Sequence, residues 1–413
     1  MSQRSTRSAL RLIVLLLSCD PPPIEDAGGA DAGFGGIDAG AADSGSTHDA
    51  GDDAGSGDAG LVDAGVTDAG SHDTGSPDAG VPDAAVADGG AFDAGRADAG
   101  LDAGAPDAGG LKQGAYLYDY DNVVIDLTAR ATTLTWLRNN GYTDVYLSCE
   151  RYFGNNTLSQ LAGFVQDAKT NYSLNTTLLF SDYAWSLDVN HAAARAEIQA
   201  AVTWLHGLPP GQVRPVAIQI DVEPHALSGW DTSNQATIQD LGSQYLRLLD
   251  TINPIMNGVP LQAVIAYHYD NRTVTRTTDA GTVSRPFSEW VIDSSSSTLM
   301  MNYRDVGSKL ESGARSEIVY ASSVNKKVYV AVKAKQNVTV AADGGITVSA
   351  DQTDNFSDEG SAAMRTALNI METTPFHRDG TTGALTPDVP LNTLSGYGGW
   401  SIFAYTYLRQ LGP

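Results

Sequence analysis

Cysteine is almost absent from this 413-residue chain: only Cys19 and Cys149 occur. Two thiols cannot build a disulfide framework, and they exclude a zinc site made of cysteines. Positive charge is also scarce, with 25 Lys and Arg against 49 Asp and Glu and a net charge of −24. A nucleic-acid surface is therefore not expected. The apolar run near the start, Leu12 to Leu17, is too short to span a bilayer. The histidines form no close-spaced ligand pair, so neither a metal nor another cofactor is expected.

The same apolar run follows Arg4, Arg7 and Arg11 and ends at Leu-Leu-Ser-Cys, residues 16–19. Basic residues, a short apolar stretch and a small-residue end are the layout of an export signal. This segment resembles a bacterial lipoprotein signal, covering residues 1–18, in which Cys19 becomes the lipidated first residue. The resemblance implies a cell-envelope protein anchored to a membrane by lipid and facing away from the cytoplasm. A plain cleaved signal with a chance cysteine is the alternative. Cys149, in "DVYLSCE", then has no intrachain partner and reads as a small buried hydrophobe.

Residues 19–110 form a different material. From Asp58 to Asp98 an aspartate recurs at every fifth position, mostly within Asp-Ala-Gly. A period of five fits neither a helix nor a strand. Between residues 20 and 110 there are nineteen Asp, one Glu and one Arg, a net of −19. Such a segment buries too little apolar surface to offset its ordering entropy. It reads as a disordered acidic tether, extended by its own repulsion. A calcium-binding repeat is the sharper alternative, but the spacing does not match the glycine-rich nonapeptide type.

Residues 111–413 carry 29 acidic and 21 basic residues, a mild net of −8. Eight β-rich runs stand at 114–120, 143–149, 176–183, 216–223, 261–269, 298–303, 327–334 and 400–407. Amphipathic helical patterns lie between several of them. The clearest, from His191, stops at Gly207 before Pro209 and Pro210. Strands alternating with helices predict a (β/α)8 TIM barrel, an α/β fold. A doubly wound open sheet is the competitor, but "GAYLYDYDN" is followed by no glycine-rich phosphate turn. Polar insertions follow strands five and seven, and the second reads as a hairpin turning at Asp343-Gly344. Both leave the carboxyl ends of their strands, where barrel enzymes hold their sites.

The fourth run, "VAIQIDVEPHALSGW", sets Gln219, Asp221 and Glu223 at alternate positions. In a barrel Ile218, Ile220 and Val222 pack under the helices, so the three polar residues point into the lumen. Two carboxylates about 7 Å apart along a strand repel, which tends to raise one pKa. A raised carboxyl pKa is what a general acid needs near neutral pH. The bland alternative is a structural network in which arginines hold Asp221 and Glu223.

Asp-x-Glu closing strand four resembles the end of the Asp-x-x-Asp-x-Asp-x-Glu signature of the family-eighteen chitinases. "MNYR", Met301 to Arg304, resembles their Met-x-Tyr-Asp, and "GGWSIFAY", with Trp400, is placed like their strand-eight tryptophan segment. Gln219 and Val216 stand where the second and first aspartates of the signature would be, and Arg304 replaces the Asp after Tyr303. "DVEP" followed by His and Trp also resembles a looser group of barrels labelled glycoside hydrolase-like. The resemblance implies that Glu223 protonates the glycosidic oxygen, that Asp221 orients a substrate acetamido group acting as internal nucleophile, and that Tyr303 hydrogen-bonds that group. This route needs no second catalytic carboxylate on another strand. Strand seven ends in "VAVKAK", with Lys333 and Lys335 where two-glutamate barrels keep their nucleophile.

The other strand ends offer sugar-binding candidates. They are Asp119, Glu150, Asp182, Trp185, His225, His268, Asp270, Arg304, Asp305, Trp400 and Tyr405. Carboxylates bind hydroxyls and aromatic rings stack on sugar faces. Trp185 and Trp400 are equally readable as packing residues. The expected partner is a polysaccharide or oligosaccharide, with hydrolysis, carbohydrate binding without catalysis, or a surface scaffold as the competing roles.

Overall fold

In the computed structural model the described residues are 111–118, 121–149, 153, 157–279, 281–334, 337–340, 346–349, 355–357, 359–375 and 389–405. Cys19 and the aspartate repeat lie outside them, as do Asp119, Glu150 and Lys335.

The chain alternates strand and helix. It begins with β1 (Lys112–Leu117), α1 (Leu127–Asn139), β2 (Asp144–Ser148), α2 (Leu158–Tyr172), β3 (Asn175–Ser181) and α3 (His191–Gly207). Next come β4 (Ala217–Asp221), α4 (Gln235–Ile252), β5 (Leu261–Ala266), β6 (Thr273–Thr278), β7 (Gly281–Pro286) and α5 (Phe287–Asp293). It continues through β8 (Ser297–Met301), α6 (Gly307–Ser323), β9 (Lys327–Lys333), β10 (Asn337–Val340), β11 (Ile346–Ser349), α7 (Gly360–Thr373) and β12 (Tyr397–Phe403). Eight of these strands form a closed barrel in the order β1-β12-β9-β8-β5-β4-β3-β2, with every adjacent pair parallel. The expected TIM barrel is therefore the observed fold. No described helix is long and apolar enough to cross a membrane.

Both polar insertions are antiparallel hairpins, β6 with β7 and β10 with β11. The residues proposed as the turn of the second, Asp343 and Gly344, lie outside the described set. α3 spans the residues its pattern marks and ends before Pro209. Asp126 caps α1, its carboxylate accepting from the Thr128 and Ala129 amides at 2.8 and 3.1 Å; such a cap contributes about 1 kcal/mol.

Two faces of each strand do different work. Ile218, Ile220 and Val222 are buried under the helices, and each contributes about 1.5–3 kcal/mol of hydrophobic stabilisation. The inner faces carry polar and aromatic groups. Gln219 donates to Gln262 Oε1 at 2.7 Å, and Gln262 donates to Ser297 Oγ at 3.1 Å, so three neighbouring strands are tied across the lumen floor. Tyr116 and Tyr146 stack beside them with centroids 4.8 Å apart.

The helical pattern in the sequence does not reveal α5 or α6. In α6 the inward face carries Glu311, Arg315 and Glu317, exposed by only 0%, 7% and 1%. Glu311 pairs with Arg315, which also donates to the Val389 carbonyl at 2.8 Å. Charged groups occupy a stripe that an amphipathic pattern reserves for apolar ones.

The barrel closes where β12 meets β1, with Gly399 opposite Lys112. Gly399 has φ +117°, and a Cβ there would collide with the Lys112 backbone. Gly399→Ala is expected to cost ~3 kcal/mol or more, from strain and clash together. Gly211→Ala, at φ +82° with nothing near its added Cβ, is expected to cost only about 1 kcal/mol. Urea unfolding midpoints of the two variants check this, and equal losses would contradict the seam's close approach.

Candidate functional site

The site is built by the end of β4. Asp221 lies opposite Ser181 of β3 and on the same face as Gln219. The strand then ends, and Glu223 leads into a one-turn helix at Pro224–Ala226. Proline fits the first position of that turn because its fixed φ suits it and its missing N–H is not needed there. The turn folds His225 back toward the carboxylate it follows. His225 Nε2 lies 3.3 Å from Glu223 Oε2, and its Nδ1 lies 2.8 Å from the Tyr269 hydroxyl.

Asp221 and Glu223 are only 4% and 5% exposed. Burial pushes the Asp221 carboxyl up to about 7. The cause is desolvation. Oδ1 of Asp221 has no hydrogen-bond partner among the described residues. Burial also pushes His225 down to about 3, with His268 adding to the shift. His268 is pushed down to about 4 by burial, then by Arg272 and Arg304. Both imidazoles are thus neutral near pH 7.

The neighbouring strand ends extend the cluster. The His268 ring meets His225 edge-on at 5.4 Å and Tyr267 at 5.4 Å. Arg304 donates to the Tyr267 hydroxyl at 2.6 Å and lies 4.5 Å from its ring centroid. Glu223, His225, His268, Tyr267 and Arg304 therefore form one continuous chain of contacts. Tyr303, half-buried, packs against Phe403 at 6.1 Å, and Lys333 Nζ stands 5.8 Å from its ring. Phe403 in turn meets Tyr118 edge-on at 5.3 Å. The inner face of the barrel thus carries aromatic rings and a lysine near the carboxylates' end. Asp270 and Asp305 are half-buried just past β5 and β8.

Other candidates are placed elsewhere. Trp400 packs edge-on against Tyr142 at 6.0 Å, and Tyr405 against Trp136 at 5.5 Å. Trp136 belongs to α1, so both rings lie in the layer between the barrel and its helices. On β12 the inward ring is Phe403. Asp182 uses its carboxylate to cap a short turn, accepting from the Ala184 amide at 2.9 Å. Trp185, in that turn, is buried in the hydrophobic cluster, and the turn packs against α3 and α4. These four residues have structural partners that explain their chemistry. Asp119 and Glu150 lie outside the described residues.

Residues that sequence reasoning did not single out include Tyr267, Tyr269, Tyr245 and Phe403. "YHYD" at 267–270 carried a signal, because a histidine between tyrosines at a strand end brings three rings to one turn. Among the described residues no group of three or more His, Cys, Asp or Glu is placed to hold a metal ion.

Unfolding returns Asp221 to its ordinary value of 3.8 from about 7 in the fold. Between about pH 4 and 7 the unfolded chain has released a proton that the folded chain still holds. Stability contributed by this group therefore falls as pH rises through that window and is level above it. Asp221→Asn is expected to remove that slope and to stabilise the protein at pH 8 relative to the parent by on the order of 4 kcal/mol. Denaturant unfolding at pH 4 and pH 8 checks this, and an unchanged slope in the variant would contradict it.

No protein-family model matches the chain, and no curated protein matches it. Solved structures similar to it include an exo-beta-1,4-mannosidase from Opitutaceae bacterium strain TAV5, at 12% identity and TM-score 0.40, covering 71% of this chain and 52% of that one. The chain thus spans about half the length of that enzyme. An endo-1,4-beta-mannanase from Eisenia fetida is similar at 12% identity and TM-score 0.40, covering 71% of this chain and 84% of that one. A family 1 β-glucosidase from Thermotoga maritima is similar at 7% identity and TM-score 0.36, covering 71% and 88%. At this level of identity the likeness is one of barrel architecture.

Proposed function

We propose that this chain is an exported, lipid-anchored glycoside hydrolase acting on a polysaccharide that carries N-acetylated sugars. The observation that carries the reading is Asp221. A carboxyl almost wholly buried in the barrel lumen, with one oxygen lacking a hydrogen-bond partner among the described residues, stands two residues before Glu223. A buried polar atom left without a partner costs about 1–3 kcal/mol. Such a cost persists where a ligand supplies the missing partner.

In this reading Glu223 gives its proton to the glycosidic oxygen as the bond to the anomeric carbon breaks. The acetamido oxygen of the same sugar forms the new bond to that carbon, giving a cyclic oxazolinium. Asp221 accepts the acetamido N–H. With its value near 7, Asp221 is available in its ionised form near neutral pH to face the positive charge that develops on the ring beside it. Tyr303 hydrogen-bonds the acetamido group. Water then attacks the anomeric carbon, gives a proton back to Glu223, and reopens the ring. The aromatic rings around Tyr303 and Phe403 supply stacking surface. Arg304, Asp270, Asp305 and His268 line the approach from β5 and β8.

A second reading, a carbohydrate-binding barrel without catalysis, is favoured by Gln219. It stands where the resembled signature has an aspartate, and it is bonded into the floor through Gln262.

Incubating the full chain with chitin, peptidoglycan and neutral polysaccharides, each measured for new reducing ends, separates the readings. Cleavage is expected for N-acetylated polymers and not for their deacetylated forms, and Asp221→Asn is expected to lower the rate on the order of a hundredfold. Equal cleavage of acetylated and deacetylated forms would exclude the acetamido route. Binding with no new ends would favour the lectin-like role. The anchor has its own test: Cys19→Ser is expected to move the protein from the membrane to the soluble fraction, and an unchanged distribution would exclude lipid on Cys19.

A further inference from the structure

Behind Glu223 stands a pair of side chains that no sugar needs to touch. Tyr269 is fully buried, tilted against Phe287 at 4.6 Å and Trp230 at 5.8 Å. Its hydroxyl meets His225 Nδ1 at 2.8 Å. The other face of the ring presents Nε2 to Glu223 Oε2 at 3.3 Å. At 3.3 Å the two atoms are in contact without a formed hydrogen bond, and such contacts tighten when substrate fills a site.

The proton positions follow from counting donors. A neutral imidazole has one N–H and one acceptor nitrogen. The Tyr269 phenol keeps its proton, because burial, then Tyr245, Glu223 and Asp221, push it well above the usual range. That buried O–H needs an acceptor, and among the described residues Nδ1 is the one within reach. Were Nδ1 to carry the proton instead, the phenol O–H would be left unmet, at a desolvation cost of about 1–3 kcal/mol. Nδ1 is therefore the acceptor and Nε2 carries the hydrogen.

We propose that Tyr269 and His225 are a positioning couple for Glu223: the phenol fixes the imidazole as its Nε2–H tautomer, which turns a donor and not a lone pair toward Oε2. This rests on the reading of Glu223 as the general acid. The opposite tautomer would set a lone pair against Oε2. Neither Tyr269 nor His225 exchanges a proton with substrate; both act through the orientation of Glu223.

The couple is tested on the full chain labelled with 15N histidine. The imidazole nitrogen shifts of His225, assigned by their loss in His225→Gln, report the tautomer directly. The expected result is Nε2–H in the parent and a shift toward Nδ1–H in Tyr269→Phe, which removes only the hydroxyl. Nδ1–H in the parent, or an unchanged tautomer in Tyr269→Phe, would overturn the proposal. On a glycan that the parent cleaves, Tyr269→Phe is expected to lower kcat about tenfold or more with KM within about twofold. His225→Gln keeps an amide N–H near the Nε2 position, and it is expected to retain at least about tenfold more activity than His225→Leu. An unchanged kcat in Tyr269→Phe, or equal losses in the two His225 variants, would also overturn it. If the parent cleaves no glycan, the proposed function falls, while the tautomer measurement still decides the couple. If Tyr269→Phe does not fold, the parent tautomer and the His225 pair decide it.

Discussion

A strand closed into a parallel barrel has no watered face. One side is covered by helices and the other looks into the lumen, so a two-residue period that sets Ile218, Ile220 and Val222 outward must set Gln219, Asp221 and Glu223 inward. The rest of the site depends on that constraint. It takes a carboxylate out of water, and burial raises Asp221 to about 7. Deeper in the lumen the same burial is met by side-chain amides, with Gln219 bonded to Gln262 and Gln262 to Ser297. Higher up, Asp221 Oδ1 has no such bond among the described residues. Gln219 Oε1 in the floor likewise has no hydrogen-bond partner among the described residues.

The surroundings of Glu223 follow from where β4 stops. Because the strand ends at Asp221, the next residues turn, and Pro224 starts a tight turn that brings His225 back over the carboxyl. Because β5 ends beside it, the turn at 267–271 delivers Tyr267, His268 and Tyr269 to the same place. Low dielectric keeps both histidines neutral. The ring that meets Glu223 Oε2 at 3.3 Å is therefore a neutral imidazole.

What the sequence made legible is what periodicity controls. The inward set on β4, the span of α3 and the alternation of strand and helix are local patterns, and the closed barrel follows from them. Three kinds of feature were hidden. α6 was missed because its inner face carries Glu311, Arg315 and Glu317, whose burial depends on partners distant in the chain. Trp400 reads in the sequence either as a sugar-site ring or as a packing residue. It lies on the outward parity of β12, against Tyr142, while Phe403 takes the inward position. The contact between His225 and Tyr269 joins residues 44 positions apart, and no spacing rule connects them. Asp182 and Trp185 show the same limit from the other side. Polar and aromatic residues at a strand end suit a sugar site, yet here one caps a turn and the other packs beneath it.

In the proposed function Asp221 and Glu223 form a reaction centre and not a packing network. It is tested most directly by measuring glycan hydrolysis and glycan binding together in the parent and in Glu223→Gln. The account predicts that the variant binds the same N-acetylated glycan with similar affinity and loses hydrolysis by roughly a thousandfold or more. Hydrolysis that survives the substitution unchanged would contradict it and move the chemistry away from Glu223.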